Sequence, residues 1–186
     1  RRGSIPGPVT ELIKELAESD QFVEMTPLTE KAINQREREE LVTRFFAYTN
    51  TNETENGRFP GYRDRPKKFL YDYLKSANQL AEASPDSIRE MRQEFEQMLT
   101  FVQNTFENRF QKSERGRTIP RVRFEAISVG SALALREQPD LRITPEEVAT
   151  RMVDADFDRV VVSDGANVRS KLEGRIDLIK SILLAQ

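Results

Sequence analysis

The chain has 186 residues, 37% apolar and 32% charged, with 29 basic against 31 acidic side chains. That is enough chain for a sizeable core in one domain or two small ones, and a charge balance that makes no case of its own for nucleic acid. It holds no cysteine and no histidine, which excludes disulfides, zinc fingers, thiol nucleophiles, imidazole acid–base chemistry and Ser-His triads within it.

The opening Arg1-Arg2-Gly3-Ser4, without an initiating Met, reads as the start of a fragment of something longer. Pro8 then suits a first helical position, and Val9, Leu12, Ile13 and Leu16 give a short first helix its apolar face. Phe22, Val23 and Met25 predict a brief capped turn. A second helix is expected from about Glu30 to Tyr48, burying Ile33, Leu41, Val42, Phe45 and Phe46, with the charge run from Arg36 to Glu40 as its solvated start. Residues 49–65 lack any period and are rich in turn formers. A loop of that length is functional, disordered or merely connecting, and the sequence favours the last two. Pro66 opens a third helix carrying Phe69, Leu70, Tyr73, Leu74, Ala77 and Leu80.

Ser84-Pro85 supplies a cap and an N-terminal proline for the longest helix. Its apolar positions, Ile88, Met91, Phe95, Met98, Val102 and Phe106, form the seam of a helix packed nearly antiparallel to its neighbours. A fifth helix from about Pro120 to Arg136 contains Ala126, Ser128, Gly130, Ser131, Ala132 and Ala134. Small residues permit close backbone approach, so this helix is expected to be the most buried. Thr144-Pro145-Glu146-Glu147 is a capping box opening a sixth helix that ends near Ala155. Val160 to Val162 read as an extended connector, Asp164-Gly165 as a turn, and Val168, Leu172, Ile176, Ile179 and Leu183 as one face of the last helix. The prediction is all-α, an irregular bundle of about seven helices in a single domain with little or no strand. No apolar run approaches the length of a membrane span and no secretory core is present, so no membrane partner is expected and the expected compartment is the cytoplasm.

Two basic stretches are candidate nucleic-acid contacts. Arg109, Lys112, Arg115, Arg117, Arg121 and Arg123 stand against the single Glu114, and each phosphate they neutralise would add salt-dependent affinity. The competing reading is a solvated loop, with Arg121 and Arg123 paired to acidic neighbours. Arg63, Arg65, Lys67 and Lys68, with Arg58, interleave with Phe59 and Tyr62, a pattern that grips a strand by stacking and charge. Here the competing reading is that the two aromatics pin the loop to the core while the cations lie at a helix start, where the macrodipole does not support them. Asp154, Asp156 and Asp158 lack the Gly and Glu of a calcium loop and read as a helix-end acidic cluster, so no metal ligand is assigned. Tyr48, Tyr62, Tyr71 and Tyr73 read as packing residues. No carboxylate pair stands out, and no catalytic residue is assigned.

Four pieces in order carry a family resemblance: Arg2-Gly3 followed by Leu12-Ile13-Lys14-Glu15-Leu16-Ala17, then Glu40-Leu41-Val42-Thr43-Arg44-Phe45-Phe46, then Phe69-Leu70 to Tyr73-Leu74, and Lys171 to Arg175-Ile176. Together they resemble the helical C-terminal half of the DUF-262 family, the GmrSD-type restriction proteins. In that family an N-terminal half with a ParB and sulfiredoxin-like fold carries an Asp-Gly-Gln-Gln-Arg motif associated with nucleotide binding and hydrolysis. Asp164-Gly165, followed by Ala166-Asn167, does not match it, and no His-containing nuclease domain is present. The resemblance therefore implies a helical accessory domain of a modification-dependent DNA-restriction or phage-defence protein, which positions DNA or a catalytic partner domain. It implies no cofactor in this chain and a nucleoside triphosphate only for the intact protein. The partners it allows are DNA, the N-terminal half or a partner subunit, and a second copy of the chain. The alternative is a protein–protein or dimerisation scaffold with no nucleic-acid contact, which expects an exposed apolar face on the first or last helix.

Overall fold

The helix starts marked by proline or by a capping box are helix starts in the fold. The computed structural model describes residues 5–116, 118–162 and 164–185. Among them are ten helices and no strand: α1 (Pro8–Ala17), α2 (Asp20–Met25), α3 (Glu30–Asn34), α4 (Glu37–Thr51), α5 (Pro66–Ala83), α6 (Asp86–Thr105), α7 (Arg121–Glu137), α8 (Pro145–Asp154), α9 (Phe157–Val160) and α10 (Arg169–Leu184). None of the described helices is long and apolar enough to cross a membrane. Pro8, Pro66 and Pro145 open α1, α5 and α8, while Pro85 and Pro120 stand one residue before α6 and α7. The capping box is complete: Glu147 N–H donates to Thr144 Oγ1 at 3.2 Å and Thr144 N–H to Glu147 Oε2 at 3.0 Å.

The all-α expectation holds, with more and shorter helices than expected. The helix foreseen from Glu30 to Tyr48 is two, α3 and α4, because Arg36 adopts a left-handed backbone with φ 56°, a conformation that ends an α-helix. The break turns Ile33 outward, and it is 48% exposed rather than buried. The turn at Phe22 to Met25 is the short helix α2, and Val160 ends α9 rather than starting a connector. Leu80, expected on the inner face of its helix, is 71% exposed.

The small-residue helix α7 is the axis of the bundle, buried without a break from Val122 to Ala134. Paired contacts fix how its neighbours run. In α4, Arg44 meets Glu125 at 2.6 Å, and six residues on Asn50 Oδ1 accepts from Arg136 at 3.0 Å, so α4 is parallel to α7. In α10, Arg175 meets Glu125 and Lys180 meets Glu137, so α10 is parallel too. Helix α6 is antiparallel: Glu94 pairs with Arg136 near the end of α7, and Phe110, just beyond α6, packs on Phe124 at 4.8 Å. Asn50 also donates to Tyr73 Oη at 2.9 Å, while Lys67 acts electrostatically on Glu40, which aligns α5 with α4. The starts of α4, α5, α7 and α10 therefore gather at one end of the molecule.

Phe95 on α6 anchors the core, with Phe22 and Phe45 edge-on at 5.2 Å and Phe46 at 5.9 Å. Such aromatic pairs add about 0.5–1.5 kcal/mol each beyond their buried area. The cap of α1 comes from far along the chain. Gly7 has no side chain to offer, and Asn78 of α5 accepts from Val9 N–H at 2.8 Å and Thr10 N–H at 3.2 Å while donating to Thr10 Oγ1 at 3.0 Å. Gly7 is required there, since a Cβ would lie 2.3 Å from Asn78 Cγ. Asn78→Ala leaves two buried N–H groups unmet and costs about 1–3 kcal/mol, measurable as a lower urea midpoint at unchanged m-value. A change under about 0.5 kcal/mol would mean that α1 needs no cap from α5.

Candidate nucleic-acid interface

The two basic stretches reach the same end of the bundle. The segment from Phe106 to Pro120 joins the end of α6 to the start of α7, and residues 52–65 lead into the start of α5. Helices α5, α7 and α10 have no acidic residue in their first turns. Cations stand there instead: Arg65, Lys67 and Lys68 at α5, Arg121 and Arg123 at α7, and Arg169 and Lys171 at α10. Side chains at helix N-termini feel the positive end of the macrodipole, so each cation there is disfavoured by about 0.3–1 kcal/mol where exposed. The acidic residues are concentrated at the start of α4, as Glu37, Glu39 and Glu40.

These helix starts are joined to one another by polar contacts. Asp64 Oδ1 accepts from Arg169 N–H, the first residue of α10, at 2.8 Å. Arg121 reaches Glu37 at 2.7 Å and Glu40 at 3.6 Å. Burial works to raise the Glu40 pKa, but the hydrogen bond and charge of Arg44, then the charges of Arg121 and Lys67, hold it below the usual carboxylate range. Glu40 thus takes part of its field from α5 and part from α7.

The sequence-selected cations divide into two groups. Arg109 pairs with Glu24 at 3.1 Å, Arg121 with Glu37, Lys68 with Asp72 at 2.5 Å, and Arg123 with Asp158 at 2.8 Å while lying over the Phe157 ring at 5.0 Å. Arg123 is only 7% exposed, and burial, opposed by Asp158, lowers its pKa. For Arg121 and Arg123 the structure agrees with the reading that pairs them to acidic neighbours. Lys112, Arg115, Arg63, Arg65 and Lys67 are exposed and have no ion-pair partner among the described residues. Arg117 lies outside the described residues, as does the Arg2-Gly3 piece of the family resemblance.

The 52–65 loop is pinned in place by its two aromatics, as the competing reading of Phe59 and Tyr62 had it. Phe59 and Tyr62 are buried, with Phe59 at 5.7 Å and Tyr62 at 6.2 Å from Tyr48, and Tyr62 at 5.3 Å from Phe69. Neither ring is available to stack on a base. Arg58 donates to both Asp177 oxygens and to Asn52, and Arg169 donates to the Arg58 carbonyl. Burial works against the charged form of Arg58, and the hydrogen bond and charge of Asp177 outweigh it, raising its pKa. Arg63 and Asp64 both hold left-handed backbones, a conformation that non-glycine residues rarely adopt.

Beneath this end lies a network that the sequence reading did not select. Glu125 of α7, 1% exposed, takes Arg44 of α4 on Oε1 at 2.6 Å and Arg175 of α10 on Oε2 at 2.5 Å. Arg44 also donates to Glu40 at 2.8 Å and to Tyr48 Oη at 3.3 Å, and Arg175 to the Ala166 carbonyl at 2.9 Å. Burial would lower the Arg44 pKa, but Glu125, then Tyr48 and Glu40, lift it above the ordinary arginine value. Burial and Glu125 push the Tyr48 and Tyr62 phenols up and keep them protonated. Among the described residues no acidic cluster is placed to hold a metal ion. Asp156 and Asp158 are instead engaged by Arg159 and Arg123. The buried network's advance signal in the sequence is a charged residue beside apolar ones, clearest for Arg44 beside Phe45 and Glu125 between Phe124 and Ala126, and weak for Arg175, which lies between Gly174 and Ile176. Comparison with family models, with curated proteins and with solved structures finds no match to this chain.

Proposed function

We propose that this chain is the helical accessory domain of a DUF-262-type DNA-restriction or phage-defence protein, and that it presents its end of clustered helix starts to nucleic-acid phosphates. The observation that carries the reading is electrostatic. Three helices begin there with cations and without acids, and five exposed cations, Lys112, Arg115, Arg63, Arg65 and Lys67, have no acidic partner among the described residues. A phosphate relieves both unfavourable terms, since helix N-termini favour anions and the cations lose their mutual repulsion. The nucleotide chemistry of such proteins belongs to a part outside this chain, and no catalytic role is proposed for its residues.

The test is affinity for a short DNA duplex as a function of salt. Five phosphate contacts give a slope of log K against log salt of about −4.5. Charge reversal of Lys112, Arg115 and Arg65 together lowers low-salt affinity at least about tenfold and flattens the slope by about 3. Reversal of Arg89 and Arg142, exposed at the opposite end of the bundle, changes neither. Equal losses from both sets would mean that binding reports general charge, and unchanged affinity in the triple variant would overturn the reading. The scaffold alternative is less well supported. Of the exposed large apolar side chains only Val168, the cap of α10, belongs to the face expected on the last helix, and Val23, Leu80 and Val153 are outside α1 and α10.

A further inference from the structure

A cavity of about 340 Å³ lies between the segment after α6, the start of α7, and the α8–α9 pair. Its volume falls within the range of small-molecule sites, about 300–1,000 Å³. Phe106, Val148, Met152 and Phe157 give it apolar walls. Polar and charged side chains interrupt them, and two, Asn108 and Arg123, are incompletely satisfied: Asn108 Oδ1 and Arg123 Nε are buried without a hydrogen-bond partner among the described residues. Buried polar atoms are seldom left in that state unless a ligand or water completes them. The two also differ in kind, one an acceptor and the other a donor. Arg123 is a flat cation stacked on Phe157, and Lys112, with no acidic partner, lines the same cavity. Of the acids that line it, Asp158 is met by Arg123 and Asp156 by Arg159, while Glu107 is exposed and has no ion pair among the described residues.

We infer that this cavity receives one nucleotide unit, a planar base with its attached phosphate, and that the unit is an unpaired base of a single strand. The inference rests on the nucleic-acid reading of the basic end and gives it a preferred substrate. A base has two apolar faces for the Phe106, Met152 and Phe157 walls. Its edge carries the donor that Asn108 Oδ1 lacks and the acceptor that Arg123 Nε lacks, met after small side-chain adjustments. Its phosphate is then left for Lys112. The oxygens of an aliphatic anion would satisfy Lys112 and accept from Arg123 Nε but bring no donor to Asn108 Oδ1, and a neutral apolar ligand would satisfy none of the three.

The probes are 5′-AMP, adenosine, a single-stranded oligo(dA) and a duplex, added to the whole chain. AMP is expected to shift the Met152 and Val148 methyl resonances, and oligo(dA) to compete with it. Failure of oligo(dA) to compete while AMP binds would assign the cavity to free nucleotide and overturn the single-strand assignment. Ala149→Phe, which fills the cavity from α8, is expected to abolish AMP binding and weaken oligo(dA) by about tenfold or more, the worth of one stacked base, while leaving duplex affinity unchanged. Should that variant fail to fold, Arg123→Lys keeps the charge opposite Asp158 but removes the planar fork, and the same loss is expected. Lys112→Gln is expected to weaken AMP but not adenosine. Absence of any methyl shift with AMP, or unchanged oligo(dA) affinity in a folded Ala149→Phe variant, overturns the pocket. If charge reversal of Lys112, Arg115 and Arg65 still weakens duplex binding in that event, the basic end stands without the pocket; if it does not, both fall.

Discussion

Glu125→Ala is expected to destabilise the fold by about 3–5 kcal/mol, because it leaves Arg44 and Arg175 as buried cations without their shared counter-ion. Arg44 and Arg175 are each 3% exposed, so neither can regain water without moving a helix. Glu40 remains for Arg44, but Arg175 keeps only the Ala166 carbonyl, and its Nε has no partner among the described residues even in the native protein. For a chain of this size the loss corresponds to a fall in Tm of about 6–20 °C. The large cost of breaking the network does not mean that the network stabilises the fold by that amount. Desolvating three charges offsets most of their attraction, and replacing all three with apolar residues of similar volume is often neutral or stabilising. The combined Arg44→Met, Glu125→Leu, Arg175→Met variant is therefore expected to recover most of what Glu125→Ala loses. A loss under about 1 kcal/mol for Glu125→Ala would show that water reaches the two guanidinium groups.

What this network adds is register. It joins α4, α7 and α10 at matching depths, two turns or less from their starts, and so holds three helix N-termini together below the basic end. That arrangement could not be read from the sequence, because each partner belongs to a different helix and an isolated charge in an apolar run is ordinarily taken as solvated. Asn78 capping α1 was hidden for the same reason: the partner is 69 residues away. Local signals fared better. The prolines that open α1, α5 and α8 and the Thr144 capping box act through near neighbours and were legible, and the small residues of α7 were legible from their composition. The break at Arg36 was not, since no glycine or proline marks it. In the candidate site, the exposed cations at Lys112, Arg115, Arg63, Arg65 and Lys67 were legible as a basic pattern. The pairing of Arg121 and Arg123 and the pinning of Phe59 and Tyr62 were legible as competing readings, but their partners, acids of α4 and α9 and the Tyr48 ring, lie too far along the chain for the sequence to name them.

Gly130→Val is expected to cost about 3 kcal/mol or more, the upper end of what overpacked cores show. Helix propensity pulls weakly the other way, since glycine inside a helix is about 1 kcal/mol worse than alanine. The contact decides which effect wins. A Cβ at position 130 would stand 2.7 Å from Ile179 Cβ and Cγ2 and 3.0 Å from the Ile176 carbonyl oxygen. Two of those atoms are backbone or the first side-chain carbon, so rotation of a flexible tip cannot relieve the clash, and α10 must move away from α7. Gly130→Ala therefore also destabilises, against its propensity, and the sign of that single change is the sharper test. A stabilised Gly130→Ala protein would mean that α7 and α10 are not in the close contact described. Ile179→Ala supplies the complement. On its own it costs about 2–5 kcal/mol as a cavity, but combined with Gly130→Ala the two changes are coupled, and the pair costs less than the sum by about 0.5–3 kcal/mol. Because α10 also carries Arg175, the same displacement lengthens the Arg175–Glu125 contact and draws the start of α10 away from Asp64. Gly130→Val is thus expected to weaken duplex binding as well, although residue 130 is fully enclosed in the core and lies on the third turn of its helix, below the cations that would touch phosphate.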